Sequence, residues 1–320
     1  MRFQLPKQIY ISLLVLLAFT TVASASSKKA ADKKTSTEKV QLLVSTQWLT
    51  EHLNDPDLII LDTTVLVAPD KTGKYLSSTG RPAYDAGHIP TAGFADLTGN
   101  LSAKDSSLEF VMPTPEQFAT AMGELGVGND SRVVLYSTDN HVWAARLWWM
   151  LRWAGFDNVS LLDGGFNAWK ANGGKISTEP ANHPKKKLTL SLRPELIADR
   201  DEVFAAIENK NVDIIDAMPV GHYQGKFAMY ARPGHITSAT NMPTSDLYDE
   251  SGFYKSYDEM DLTYDSDRSK RSITYCGGGV AASAVAFNLY RLGYSDVAVY
   301  MGSLQEWSVD PANPMTVDAH

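Results

Sequence analysis

The chain has 320 residues, 44% of them hydrophobic and 10% aromatic, which excludes a disordered polymer and leaves room for two hydrophobic cores. A net charge of −8, without basic stretches interleaved with aromatics, excludes nucleic acid as a partner. A single cysteine, Cys276, excludes an intramolecular disulfide.

Arg2 and Lys7 precede an apolar run, Ile9 to Phe19, that ends in Ala23-Ser-Ala25, the layout of a secretory signal peptide (residues 1–25) cleaved after Ala25. The run is short for a bilayer, so an uncleaved anchor helix is the second reading. Cleavage takes the 29 basic residues to 27 against 37 acidic ones, a net charge of −10. The expectation is an exported protein with no stable membrane insertion, periplasmic where the source has an outer membrane. Residues 26–39 have no apolar periodicity and read as a flexible tether.

The predicted elements begin with a helix near Thr46 to Leu53 and a strand from Leu58 to Asp62, followed by a loop rich in Pro, Gly and Lys. Gly93 to Asp96 reads as a strand and Thr114 to Met122 as a helix with Thr114 or Pro115 at its start. Arg132 to Tyr136 is the next strand, Val142 to Trp153 the next helix and Val159 to Leu162 another strand. The tryptophans of that helix read as packing residues. The second half repeats the order, with a helix from Asp199 to Lys210 and strands at Ile214 to Asp216 and Ile273 to Tyr275. A helix then runs from Val280 to Leu292 and stops at Gly293. Asp62, His88, Tyr136 and Trp169 find counterparts in Asp216, His235, Tyr275 and Trp307. The aspartates are expected to cap the turns after their strands, and the histidines to fix loops through backbone hydrogen bonds. Strands alternating with helices predict an α/β fold of two like domains, each a doubly wound, mainly parallel sheet with helices on both faces. The first domain is placed at 40–178, a linker at 179–193 and the second domain at 194–320.

Cys276-Gly-Gly-Gly-Val-Ala281 joins a predicted strand to a predicted helix. A lone cysteine is more often a small buried hydrophobe, but three glycines at the mouth of a helix cost roughly 0.5–1 kcal/mol each relative to alanine and serve no packing purpose. At a helix N-terminus the unpaired amides and the dipole favour an anion, here a thiolate. A phosphatase loop would need arginine where Ala282 stands, and a nucleotide P-loop would need Gly-Lys-Ser/Thr, which is absent. What remains is Cys276 as a nucleophile, ringed by the amides of Gly277, Gly278, Gly279, Val280 and Ala281 as a cup for a thiolate or a persulfide. The matching stretch of the first half, Ser137-Thr-Asp-Asn-His-Val-Trp143, carries no sulfur and bulky side chains in place of glycines. That half is therefore expected to carry no persulfide. No His, Cys or carboxylate cluster has metal-ligand spacing, so neither metal nor cofactor is expected.

Together with that loop, four segments resemble the tandem-domain rhodaneses and 3-mercaptopyruvate sulfurtransferases over nearly the whole chain after residue 40. They are Gly87-His-Ile-Pro-Thr-Ala92, Gly234-His-Ile-Thr-Ser-Ala239, Leu162-Asp-Gly-Gly-Phe-Asn-Ala-Trp169 and Tyr300-Met-Gly-Ser-Leu-Gln-Glu-Trp307. The resemblance implies an inactive first domain and a catalytic second one. It also implies transfer of sulfane sulfur from a small anionic donor to a thiophilic acceptor, cyanide or a thiol, through a Cys276 persulfide. The loop is similar to the Cys-Gly-Ser-Gly-Val-Thr of mercaptopyruvate enzymes, whereas thiosulfate-type relatives carry basic side chains directly after the cysteine. Where mercaptopyruvate enzymes have an arginine, this chain has His222. His222, when protonated, and Arg232 are therefore the expected substrate-binding cations. Thiosulfate is the expected donor because it is stable outside the cytoplasm, with 3-mercaptopyruvate the alternative. A sulfur carrier or binding module of the same fold without turnover is the remaining class.

Overall fold

The computed structural model describes residues 40–71, 75–261 and 267–318. The expected signal peptide and tether lie outside these residues. In chain order the strands of the first half are β1 (Leu43–Val44), β2 (Leu58–Asp62), β3 (Val65–Pro69), β4 (Tyr75–Thr79), β5 (Gly93–Phe94), β6 (Arg132–Tyr136) and β7 (Val159–Leu162). Those of the second are β8 (Ile197–Ala198), β9 (Val212–Asp216), β10 (His235–Ile236), β11 (Thr240–Asn241), β12 (Arg271–Tyr275), β13 (Val297–Tyr300) and β14 (Met315–Thr316). They form two five-stranded parallel sheets, β1-β7-β6-β2-β5 and β11-β9-β12-β13-β8. Read from β8 to β11, the second sheet reproduces the first strand for strand. The fold is α/β and internally duplicated, with each sheet flanked by helices.

The central strands explain themselves chemically. β2, Leu-Ile-Ile-Leu-Asp, is buried at every position, as a parallel strand covered on both faces must be. The duplication reaches individual hydrogen bonds. Asp62 stands opposite Tyr136 and Asp216 opposite Tyr275 in register. The two tyrosine hydroxyls accept from the amides of Ile89 (3.3 Å) and Ile236 (2.9 Å). Asp62 accepts from the Thr64 amide (2.9 Å) and Asp216 from that of Met218 (2.7 Å), so both aspartates cap the turn after their strand. His88 and His235 stack on Tyr84 and Tyr223 at 3.9 and 3.8 Å, each with Nδ1 2.8 Å from that tyrosine's carbonyl oxygen.

Two expectations change. After Asp62 the chain forms the antiparallel hairpin β3–β4 rather than a loop. Val65-Leu-Val and Tyr75-Leu are strand formers, and the Pro, Gly and Lys residues between them mask that pattern in the composition. The hairpin joins neither sheet. The helix expected over Asp199 to Lys210 is confined to Arg200–Ala206, with Asp199 as its N-cap accepting from the Glu202 amide at 2.8 Å.

The helix Val142–Trp153 follows β6, and Val280–Arg291 follows β12; the two pack against each other and join the halves. In the first, every residue but Arg152 is buried, because one side meets its own sheet and the other meets the second half. Trp148 meets Phe287 edge to face at 4.8 Å across this seam. Among the described residues no helix is long and apolar enough to cross a membrane.

Burial pushes the Asp216 carboxyl up to about 6, even though Tyr275 and the Met218 amide favour its charged form. A carboxyl raised in the folded state stabilises it below the unfolded value of 3.8 and loses that contribution as pH rises through about 6. Asp216→Asn keeps the capping oxygen and removes the charge. The substitution is expected to raise the unfolding free energy at pH 7 by about 2–3 kcal/mol, a gain that vanishes near pH 4 in urea titrations.

Candidate active site

β12 delivers Cys276 to the C-terminal edge of the second sheet, where the chain turns through three glycines into the helix Val280–Arg291. The thiol is 2% exposed and forms the floor of a cleft of about 1080 Å³. Two neighbouring segments set the shape of the turn. The amides of Leu304 and Gln305, at the start of the helix Ser303–Trp307, each donate at 3.0 Å to the carbonyls of Cys276 and Gly277. Ser303, itself at φ +50°, accepts with its Oγ from the amides of Cys276 (3.2 Å) and Gly279 (3.1 Å) and donates to the Tyr300 carbonyl (2.7 Å). The loop carbonyls are thereby drawn to one side. The amides of Gly277, Gly278, Val280 and Ala281 pair with no acceptor among the described residues. Cys276, Gly278, Val280 and Ala281 line the cleft. Gly279 departs from expectation: its amide is committed to Ser303, and its task is the backbone at φ +76° with no room for a Cβ beside Arg146 and Met301.

Sequence reasoning assigned no part to Arg146, in the tryptophan-rich helix of the first half. Its guanidinium is 1% exposed and crosses to the second half. It donates to the carbonyls of Gly279 (3.3 Å) and Phe110 (2.6 Å), with the sulfurs of Met301 and Met112 also against it. Among the described residues no carboxylate pairs with it. Burial pulls its pKa down to about 10, while the charge of Cys276 acts the other way. The group therefore stays protonated at neutral pH, with Cys276 the one charge partner that acts on it. A cation in the middle of a helix that is otherwise apolar up to Arg152 in its last turn was the available signal.

Tyr230 was also missed. Its hydroxyl lies where a Cβ on residue 277 would come within 1.7 Å, so only glycine fits beneath it. Burial first, then the charges of Cys276 and Glu109, raise its phenol above the ordinary range, which keeps it a proton-bearing hydrogen-bond donor. Of the two expected cations, His222 lines the cleft, with its Nδ1 buried and without a hydrogen-bond partner. Arg232 does not reach the cleft lining. Its guanidinium is spent on the carbonyls of Ser308 (2.9 Å), Trp307 (3.3 Å), Asp310 (2.7 Å) and Asn313 (3.0 Å). The reason is local: these oxygens gather at the C-terminal end of Ser303–Trp307 and beyond it, where a cation is favoured. In the first half, Ser137 turns inward and donates to the Asn140 carbonyl at 2.7 Å, closing that loop on itself. Gln305 spans the two halves, accepting from the Glu109 amide (3.0 Å) and donating to its carbonyl (2.9 Å).

The arrangement can hold an anionic sulfur between unpaired amides in front and a buried guanidinium behind. Comparison with known proteins leads to sulfurtransferases. The rhodanese-like domain family matches residues 45–172 and 199–310. The chain is 33% identical over 274 residues to 3-mercaptopyruvate sulfurtransferase of Escherichia coli K12, spanning 82% of this chain and 94% of that protein. It is equally 33% identical over 278 residues to thiosulfate sulfurtransferase of Bos taurus, spanning 83% and 91%. The crystal structure of SseA from Escherichia coli, a 3-mercaptopyruvate enzyme, superposes with a TM-score of 0.72 at 32% identity, covering 82% of this chain and 99% of that one.

Arg146→Met, which keeps the bulk of the side chain and removes its charge, is expected to slow alkylation of Cys276 by iodoacetamide at pH 7 about tenfold, equivalent to some 1.4 kcal/mol of lost attraction. Arg146→Lys is expected to recover part of the rate. Unchanged alkylation in a folded Met variant, checked by thermal melting, would reduce Arg146 to a packing residue.

Proposed function

The chain belongs to the rhodanese family of tandem-domain sulfurtransferases, and from that premise we propose that Cys276 is its nucleophile and thiosulfate its donor. The Cys276 thiolate attacks the outer sulfur of thiosulfate. A sulfur–sulfur bond to Sγ forms as the donor's own breaks, and sulfite leaves with the electron pair. The amides of Gly277, Gly278, Val280 and Ala281 stabilise the charge of the resulting persulfide, with Arg146 behind the loop. A thiophilic acceptor, cyanide or a thiol, then attacks the outer sulfur, and Cys276 departs as a thiolate.

The observation that carries the choice of donor is where the positive potential lies. It is concentrated around the loop, from its amides and Arg146, whereas among the described residues the one carboxylate or cation of fixed charge lining the outer cleft is Glu109. Thiosulfate carries its charge one bond from the sulfur being transferred. The carboxylate of 3-mercaptopyruvate lies further out, towards Glu109. One observation favours 3-mercaptopyruvate as the second reading: the unpartnered Nδ1 of His222 in the cleft wall is available to a carboxylate. The leader-like residues 1–25 support export, into the periplasm where there is an outer membrane, a setting in which thiosulfate persists.

On the purified chain lacking residues 1–25, kcat/KM for thiosulfate with cyanide as acceptor is expected to exceed that for 3-mercaptopyruvate by roughly tenfold or more, about 1.4 kcal/mol of transition-state preference. The reverse order would replace the donor. Intact-mass measurement after donor treatment is expected to show one added sulfur, and none in Cys276→Ser. A protein that takes up sulfur but does not turn over with any small acceptor would be a carrier.

A further inference from the structure

The cleft above Cys276 is far larger than either donor requires. At about 1080 Å³ it lies at the upper end of cavities that enclose drug-sized ligands, whereas thiosulfate has only a handful of heavy atoms. The excess space has a definite chemistry. Its walls include Phe110 and Trp143 near the floor and Val67, Tyr75, Phe227 and Met229 at the mouth. The last four are exposed by 50%, 62%, 63% and 51%, an apolar rim of the kind that marks a recognition surface. The rim is assembled from both halves. Val67 and Tyr75 come from the β3–β4 hairpin, which joins neither sheet, and Phe227 and Met229 from the segment after the short helix Val220–Tyr223. Leu66, Leu76 and Val220, adjoining these residues in sequence or in the same segments, are exposed as well. Among the described lining residues only Glu109 bears a fixed charge, and it is negative.

From this we infer that the outer cleft is the acceptor site, and that the acceptor is a low-molecular-weight organic thiol with an uncharged body of aromatic size. The inference rests on the sulfurtransferase reading of Cys276. Once sulfite has left, the persulfide lies on the floor of an apolar funnel. A thiolate whose body packs between Phe227, Met229 and Tyr75 attacks the outer sulfur and forms a new sulfur–sulfur bond. The bond to Sγ breaks, Cys276 leaves with the electron pair, and the product is an organic persulfide. Nothing is oxidised or reduced overall. A second anionic group on the acceptor would face Glu109, with no cation of fixed charge among the described lining residues to receive it.

The test isolates the acceptor half-reaction. Persulfide enzyme, loaded with thiosulfate or 3-mercaptopyruvate and desalted, is mixed with cyanide, benzyl mercaptan, 2-mercaptoethanol or 3-mercaptopropionate at subsaturating concentration. Loss of one sulfur is followed by intact mass, and each thiol's rate is divided by its rate with a small persulfide in free solution. After this normalisation benzyl mercaptan is expected to discharge the enzyme roughly tenfold faster than 2-mercaptoethanol, from burial of the ring, and 3-mercaptopropionate more slowly than either. In the double variant Phe227→Ser, Met229→Ser the ratio of the benzyl mercaptan rate to the cyanide rate is expected to fall about fivefold. Equal normalised rates for benzyl mercaptan and 2-mercaptoethanol, or a ratio that the double variant does not move, would overturn the inference while leaving sulfur transfer intact. Enzyme that never loads, or that cyanide also fails to discharge, would overturn both.

Discussion

The buried charge of Arg146 is the constraint around which the two halves are fitted. An unpaired guanidinium removed from water costs several kcal/mol unless hydrogen bonds and an opposite charge compensate. The hydrogen bonds come from two places, the Phe110 carbonyl in the first half and the Gly279 carbonyl in the second, so the halves must be docked before the charge is satisfied. The opposite charge can come only from the sulfur side. A neutral thiol leaves the guanidinium with dipoles alone, whereas a thiolate or persulfide gives it a counter-charge. Docking of the domains and the charge state of the Cys276 sulfur are consequently parts of one electrostatic arrangement.

This arrangement gives the duplicated fold a division of labour. Both halves keep the same sheet order, the same Asp–Tyr register and the same stacked Tyr–His pair. At the loop after the central strand they part. The first half fills it with Ser137 to His141 and closes it by its own hydrogen bonds, and the second leaves it as bare glycine around a sulfur. Having no sulfur to hold, the first half contributes from the following helix instead, lending Arg146 to its neighbour's loop. The hairpin and the lip at Glu109 come from the same half and shape the entrance.

What could be read from the sequence was whatever is decided locally. A strand of Leu-Ile-Ile-Leu-Asp, a cysteine before three glycines and a repeated Gly-His-Ile carry their meaning within a few residues, so the α/β duplication and the position of the loop were legible. What depends on contacts between distant segments was not. Ser303 looks like an ordinary serine until its Oγ is found accepting two amides from residues 276 and 279. Tyr230 and Arg232 lie two residues apart, and only the path of the chain decides that the tyrosine hydroxyl sits over Gly277 while the arginine clamps the C-terminal carbonyls. Arg146 was the exception, a charge in the middle of a helix otherwise apolar up to Arg152, which periodicity alone exposes. The hairpin was hidden because Pro, Gly and Lys residues at its turn dominate the local composition.

The contact between Tyr230 and Gly277 bears on how such an enzyme can change over evolutionary time. A side chain on residue 277 would collide with the Tyr230 hydroxyl at 1.7 Å, with the ring carbons close behind at 2.5 and 3.0 Å. The basic loops of thiosulfate-type relatives, with a side chain directly after the cysteine, are therefore reached here only with a displacement of Tyr230. Tyr230 would have to move aside, taking its hydroxyl away from Gly277 before any cation arrived in the loop. The two positions are epistatic: each restricts what the other can become, and the intermediate genotype has neither group. A lineage that settled on tyrosine over glycine would tend to keep both, and would adapt to new reactants by altering the walls of the cleft rather than the loop around the sulfur.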